Sequence, residues 1–163
     1  MTPPLTTEKD FVSVIREHSR IIDKVSYFYA TARLPFDDLR QEIYLNIWQS
    51  LHGFRGDSRI STWIYRVAVN AALMALRSAK PKVETVALDF AMPDLSSELD
   101  DVQRENLHAL RSLIDRLGDI EKAVILLWLD EYSYDDIAAT LGLKRNTVAI
   151  KLHRIKEKIS EQM

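Results

Sequence analysis

The chain contains no cysteine. Disulfides and thiolate metal sites are thereby excluded, and a reducing, cytoplasmic setting fits. Glycine and proline are scarce, four and five in 163 residues, which favours helices. No apolar run approaches the roughly 20 residues of a membrane span, and Met1–Asp10 has no signal-peptide character, so no membrane insertion is expected. His18, His52, His108 and His153 show neither H-x-x-x-H nor H-E-x-x-H spacing, and there is no glycine-rich phosphate loop. Asp37, Asp38 and Glu42 could suggest a helical metallohydrolase, but such a site needs ligands from several helices, and the helix from Trp63 supplies none. The expectation is a protein with no catalytic residue, no metal and no cofactor.

What the chain does have is apolar material and an uneven charge. An apolar fraction of 47% is ample for packed cores. The net charge of −2 hides a pattern: residues 1–80 hold 11 Lys/Arg and 8 Asp/Glu, a net of +3. Residues 81–143 hold 5 and 14, a net of −9, and residues 144–163 hold 6 and 2, a net of +4. Two basic ends flank an acidic middle.

Thr7 can cap a first helix, with Asp10 three residues on. Phe11, Ile15, Ile22, Val25 and Tyr29 carry the apolar spacing to about Ala32. Pro35 then stops the chain and Asp37 can cap a new helix, in which Leu39, Ile43, Ile47 and Leu51 form one buried stripe. Tyr44 and Trp48 widen that stripe, while Asp38, Gln41, Glu42 and Asn46 fall on the other side. Gly53 and Gly56 bound a loop that carries Phe54, Arg55, Asp57, Ser58 and Arg59. A further helix spans about Ser61 to Ser78, with Ile64, Val67, Ala68, Ala71 and Met74 or Ala75 inward. Trp63 to Lys80 contains Arg66, Arg77 and Lys80 but no acidic residue. Two readings fit these residues. One is a hairpin with core aromatics and solvated arginines; the other is a surface where bases stack on rings and guanidinium groups hold phosphates.

From Pro81 to about Asp101 no period is sustained, and the stretch is acidic with two prolines, so it reads as a linker. Helices resume near Val102, with a stripe of Leu107, Leu110, Leu113, Ile114 and Leu117 ended by Gly118. Ile120–Leu129 is strongly apolar and must be largely buried. Ser133 with Asp136 forms a capping-box pattern, Ile137, Ala138 and Leu141 face inward, and Gly142 permits a sharp turn. Val148, Leu152, Ile155 and Ile159 are the inner stripe of the last helix. A short helix, a Gly turn and a longer basic helix make a helix-turn-helix. Its outward Lys144, Arg145, Asn146, Thr147, Lys151 and Arg154 suit a major groove: Asn can read adenine, Arg can read guanine and Lys can hold phosphate. A basic amphipathic helix that only packs is the plainer alternative.

D-D-L-R-Q-E-I-Y-L followed by F-R-G-D-S-R-I-S-T-W-I-Y-R-V-A-V-N resembles the promoter-melting domain of bacterial extracytoplasmic-function (ECF) sigma factors of the sigma-70 family. Y-S-Y-D-D-I-A-A-T-L-G-L with T-V and L-H-R resembles their −35-binding domain, and the two matches cover nearly all the chain outside the linker. Arg145 and Asn146 depart from the small residue and Gly usual before T-V, and R-I-K replaces R-A-R. The resemblance implies an all-α protein of two small helical domains, 1–80 and 104–163, joined by an acidic linker, 81–103. It implies docking on the β′ clamp of core RNA polymerase through Asp38, Leu39, Gln41, Glu42 and Leu45. It implies capture of the non-template strand of the −10 element by Phe54, Arg55, Ser58, Trp63, Tyr65, Arg66 and Asn70, with Trp63 as a core residue the alternative. The six outward residues of the last helix would bind the −35 element. Core RNA polymerase through its β and β′ subunits, promoter DNA and an anti-sigma protein are the implied partners. A two-domain regulator that binds duplex DNA without polymerase is the competing reading, and it leaves the acidic face around Asp38 and Glu42 without a use.

Overall fold

The computed structural model describes residues 7–78 and 100–161. These form eight α-helices and one 3-10 turn, with no strand among the described residues. The chain divides into two compact units between Leu95 and Ser96. The fold is all-α, as the periodicity predicts; the N-terminal tail and the linker up to residue 99 lie outside the described residues.

In the first unit, α1 (Glu8–Glu17) is capped reciprocally: the Thr7 hydroxyl accepts from the Asp10 N–H at 3.1 Å, and the Asp10 carboxylate accepts from the Thr7 N–H at 3.1 Å. The single helix expected up to Ala32 is instead broken at His18, whose backbone leaves helical values at φ −115° and ψ 21°. The break separates α1, with Val14 as its one buried residue, from α2 (Ser19–Tyr29), which buries Ile22 and everything from Val25 to Tyr29. A straight helix could not keep both faces on one core, and the turn at His18 lets α2 alone run through the centre.

Pro35, extended at ψ 164°, opens α3 (Phe36–Ser50). The capping role that the sequence offers Asp37 is not taken up: Pro35 is the N-cap, and Asp37 lies within the first turn, where it accepts from Arg40 Nη2 at 3.2 Å. The Arg40 guanidinium also reaches Asp23 of α2 at 3.6 Å and lies 5.0 Å from the Phe36 ring centroid. Leu39, Ile43 and Ile47 are fully buried, and Leu51 follows in the 3-10 turn Leu51–Gly53. Trp48 does not widen that stripe: it is 45% exposed and meets Phe11 edge-on, 5.2 Å between ring centroids. α4 (Ile60–Ser78) packs Ile64, Tyr65, Ala68, Val69 and Ala72 against α2 and α3. Of the two residues offered for the last inward position, Met74 is exposed and Ala75 is half-buried; Ala71, expected inward, is buried, as is Ala72. Burying side chains of this size stabilises the bundle by about 1.5–3 kcal/mol each before chain entropy is counted.

In the second unit, α5 (Asp101–Ile114) starts three residues inside the stretch read as linker, because Asp100 and Gln103 close a capping box at 2.8 and 3.1 Å. It stops at Ile114, before Gly118. Gly118 is instead the N-cap of α6 (Asp119–Leu129), and its N–H donates to Glu121 Oε1 at 3.1 Å. Ala123 to Leu127 are all buried, so α6 is the centre of this unit. α7 (Tyr134–Leu141) is capped by the Ser133 hydroxyl, which accepts from the Asp136 N–H at 3.1 Å. Gly142 ends it in the left-handed region at φ 68°, where a side chain would be strained. α8 (Arg145–Glu161) follows after two residues and buries Val148, Leu152 and Ile155 against α6 and α7.

Candidate nucleic-acid interface

Three exposed surfaces carry the residues that the sequence singles out. The first is the outer side of α3. With Leu39, Ile43 and Ile47 inward, a 100° step per residue points Asp38, Gln41 and Leu45 away from the core. Glu42 flanks them, and Leu45 is 50% exposed. Leu39 is a correction: it is fully buried and can only hold the helix in place. Trp48 was missed as a surface residue, although its three-residue step from Leu45 is readable in the sequence. Glu42 and Asn46 also edge an open groove of about 400 Å³ whose floor includes Leu34, Ala71, Met74 and Ala75.

The second surface is the loop before α4 and the exposed side of that helix. Gly56, at φ 79°, turns the loop so that Arg55, Asp57 and Arg59 are exposed, with Ser58 half-buried. The Phe54 and Trp63 rings meet at 5.3 Å and 56°, both half-buried, so each keeps part of its surface open to solvent. Trp63 is thus neither sealed in the core nor fully presented. Arg66 and Asn70 follow it at steps of three and four residues, both exposed, and Arg77 continues the line about two turns on. Tyr65 is a correction. It is 0% exposed, on the opposite side of α4 among the core residues, and cannot meet a nucleic acid. Adjacent positions in a helix point 100° apart, so Tyr65 and Arg66 cannot share a role that requires one face.

The third surface is α8, and its flanks are tied down. On one side the Lys158 ammonium donates to both Glu121 oxygens at 3.0 and 3.1 Å, joining the end of α8 to the start of α6. Burial raises the Glu121 carboxyl, but hydrogen bonds from Lys158 and the Gly118 N–H, with the charges of Lys158 and Lys151, outweigh it and hold the group below its ordinary value. On the other side Lys156 sits 4.5 Å from the Trp128 ring centroid, and Arg145 Nε lies 3.2 Å from Asp135 with its guanidinium 5.7 Å from the Tyr134 ring. Asn146 and Arg154 stand on the exposed side between these flanks, Lys144 is exposed at the start, and Thr147 and Lys151 are half-buried. Arg145 is therefore exposed but held toward α7, not directed along the middle of the face. From Ile137 to Lys156 there is no acidic residue, so the whole turn and reading face is positive.

Among the described residues no three His, Cys, Asp or Glu side chains converge to hold a metal ion, and no helix is long and apolar enough to cross a membrane. The chain matches the family model of sigma-70 region 2 over residues 14–82 and that of sigma-70 region 4 over residues 107–159. It is 30% identical to the ECF RNA polymerase sigma-E factor of Escherichia coli K12, over 92% of this chain and 84% of that protein. The sigma-E factor of Haemophilus influenzae is 28% identical over 92% and 85%. Among solved structures, the Bartonella quintana sigma factor RpoE, in complex with the anti-sigma factor NepR, superposes with a TM-score of 0.71. That match has 19% identity and covers 94% of this chain and 96% of that one. CnrH in complex with the cytosolic domain of CnrY gives a TM-score of 0.67 at 19% identity, over 96% and 88%. Sigma factors are non-enzymatic initiation factors, which agrees with the noncatalytic character read from the sequence. The chain belongs to the ECF group of the sigma-70 family of RNA polymerase sigma factors.

Proposed function

We propose that this sigma factor docks on core RNA polymerase through the outer side of α3, opens the −10 element with the α4 surface and reads the −35 element with α8, and so directs transcription of a particular regulon. The observation that carries the proposal is the line Trp63, Arg66, Asn70 beside Phe54, on a helix with no acidic residue. A partly open aromatic pair gives unpaired bases a stacking platform, and the arginines give their phosphates a counter-charge. Duplex DNA offers no base face to such a ring, so the chemistry selects the melted strand. Arg55 and Ser58 extend the surface into the loop. On α3, Asp38 and Glu42 supply charge and Gln41 and Leu45 supply contact area, which suits a basic helical partner such as the polymerase clamp; Trp48 extends that patch. On α8, Asn146 and Arg154 read base edges while Lys144, Arg145, Thr147 and Lys151 hold the flanking backbone. The division of labour assigns residues 1–80 to polymerase and the −10 element, and 104–163 to the −35 element. An anti-sigma protein that covers these surfaces in the cytoplasm is part of the proposal, supported by the complexes in which both solved relatives were captured.

Capture of core polymerase on the immobilised protein tests the reading. Asp38→Lys with Glu42→Lys should abolish capture while leaving the melting curve unchanged, because both residues are exposed. Arg66→Ala with Asn70→Ala should leave capture intact and impair opening of duplex promoters, with pre-melted templates restoring part of the loss. Normal opening by the second variant, or normal capture by the first, overturns the corresponding assignment.

A further inference from the structure

α8 exposes one large aliphatic side chain that the packing does not use. Ile150 is 53% exposed, whereas Val148, Leu152 and Ile155 of the same helix are buried. Four residues separate it from Asn146 and four from Arg154, so it stands one turn from each, in the middle of the exposed face. A β-branched residue at a solvent position favours neither helix propensity nor solvation, and at the centre of this face it offers an apolar contact to whatever the face meets.

The surroundings say which partner. No acidic residue occurs between Ile137 and Lys156, and Lys144, Arg145, Lys151 and Arg154 supply four cations around the face. The nearest exposed neighbours along it, Asn146, His153 and Arg154, are polar, so Ile150 is an isolated apolar point within a positive field and not part of an apolar patch. A polyanion that offers one apolar group per recognition position matches this arrangement. On the major-groove edge of a base pair that group is the C5-methyl of thymine. We infer that Ile150 is a specificity-determining residue that packs on a thymine methyl in the upstream promoter duplex, next to the base read by Asn146. The inference rests on the proposed role of α8 as the duplex-reading helix.

The test uses the protein assembled with core RNA polymerase and duplexes selected by that assembly from a random pool. Each thymine of the upstream element is replaced in turn by deoxyuridine, which keeps every hydrogen-bonding group and lacks only the methyl. One position should weaken binding about three- to fivefold, the worth of one buried methyl-sized group. In Ile150→Ala the same replacement should have no effect, and Ile150→Val should fall between. Persistence of the discrimination in Ile150→Ala overturns the inference, as does the absence of any sensitive thymine in an assembly that still prefers selected over scrambled duplex. Weaker assembly of Ile150→Ala with polymerase, with thymine discrimination intact, would make Ile150 a protein contact and also overturn it. Failure to prefer selected duplex at all would instead remove the reading of α8 itself.

Discussion

The two units solve the problem of holding a basic helix in two different ways. From Ser58 to Val83 and from Ile137 to Lys156 the sequence contains no acidic residue, and each run holds five Lys or Arg. Their electrostatics are nearly the same. Their uncharged residues are not: the first surface presents the Phe54–Trp63 pair, whereas α8 itself contains no Phe, Tyr or Trp and presents Asn146 and Ile150. Positive charge suits both to a polyanion, without selecting which kind. Aromatic faces suit unpaired bases, while amide and methyl-sized contacts suit the edges of paired ones. The supports differ as well. α4 is held by a broad buried side that includes Tyr65, whereas α8 is held by a narrow stripe and by contacts on its flanks.

The contrast is broken most severely in the core of the first unit. Tyr65→Ala should destabilise it by about 3–5 kcal/mol, the usual cost of truncating a buried aromatic. Thermal unfolding of the full chain should then show the first unit melting early while the second keeps its transition. An unchanged profile would return Tyr65 to the surface. Next in size, Trp63→Ala should weaken binding of single-stranded −10 DNA by the holoenzyme by about 1–3 kcal/mol, the worth of one stacked base. Binding of upstream duplex should not change. Equal losses on both substrates would erase the proposed distinction between the surfaces.

Much of this organisation is legible in the sequence, because helix periodicity and caps are local. Thr7, Ser133 and Gly142 act as their residue types predict, and the apolar run of α6 is buried as its composition demands. The errors at Leu39 and Tyr65 share one origin: a linear motif does not distinguish the faces of a helix. Leu39 belongs to the spacing of Ile43 and Ile47, and Tyr65 is one step from Arg66, so neither could share the exposed side of its helix. The break at His18 had no local signal: neither Gly nor Pro marks it, and only the packing of α2 against two other helices requires it.

A smaller effect separates the flank contacts of α8 from the core beneath it. The Glu121 carboxyl titrates below its ordinary value of 4.5 in the folded protein. Its stabilising contribution is therefore fully present above that value and lost as pH falls through the lower, folded one. Glu121→Gln should cost at most about 1 kcal/mol at neutral pH, since the partner Lys158 is half exposed, and the difference from the unsubstituted protein should vanish in acid. High salt should shrink it too. A cost that persisted at low pH would assign the effect to the cap on Gly118 and not to the ion pair.

The smallest effect concerns the turn that sets α7 against α6. Glu131 adopts φ 66°, the only non-glycine residue with positive φ among the described ones. A side chain there brings its Cβ close to the following carbonyl oxygen, at about 1–2 kcal/mol. The turn is nonetheless fixed, because the Asp130, Glu131 and Tyr132 N–H groups donate to the carbonyls of Leu127, Trp128 and Leu127 at 3.2, 3.0 and 3.1 Å. Tyr132 and Ser133 are then delivered to the start of α7, where the Ser133 hydroxyl closes the cap. Glu131→Gly removes the clash but loosens the unfolded chain, which offsets up to about 1 kcal/mol of the gain. The net expectation is a rise in the melting temperature of the second unit by a degree or a few, with no change in the first and none in DNA binding. Glu131→Pro is the opposing control, since φ cannot be positive in proline, and should lower that transition sharply. A fall on Glu131→Gly would mean that the Glu131 side chain contributes more to the turn than its strained backbone takes away.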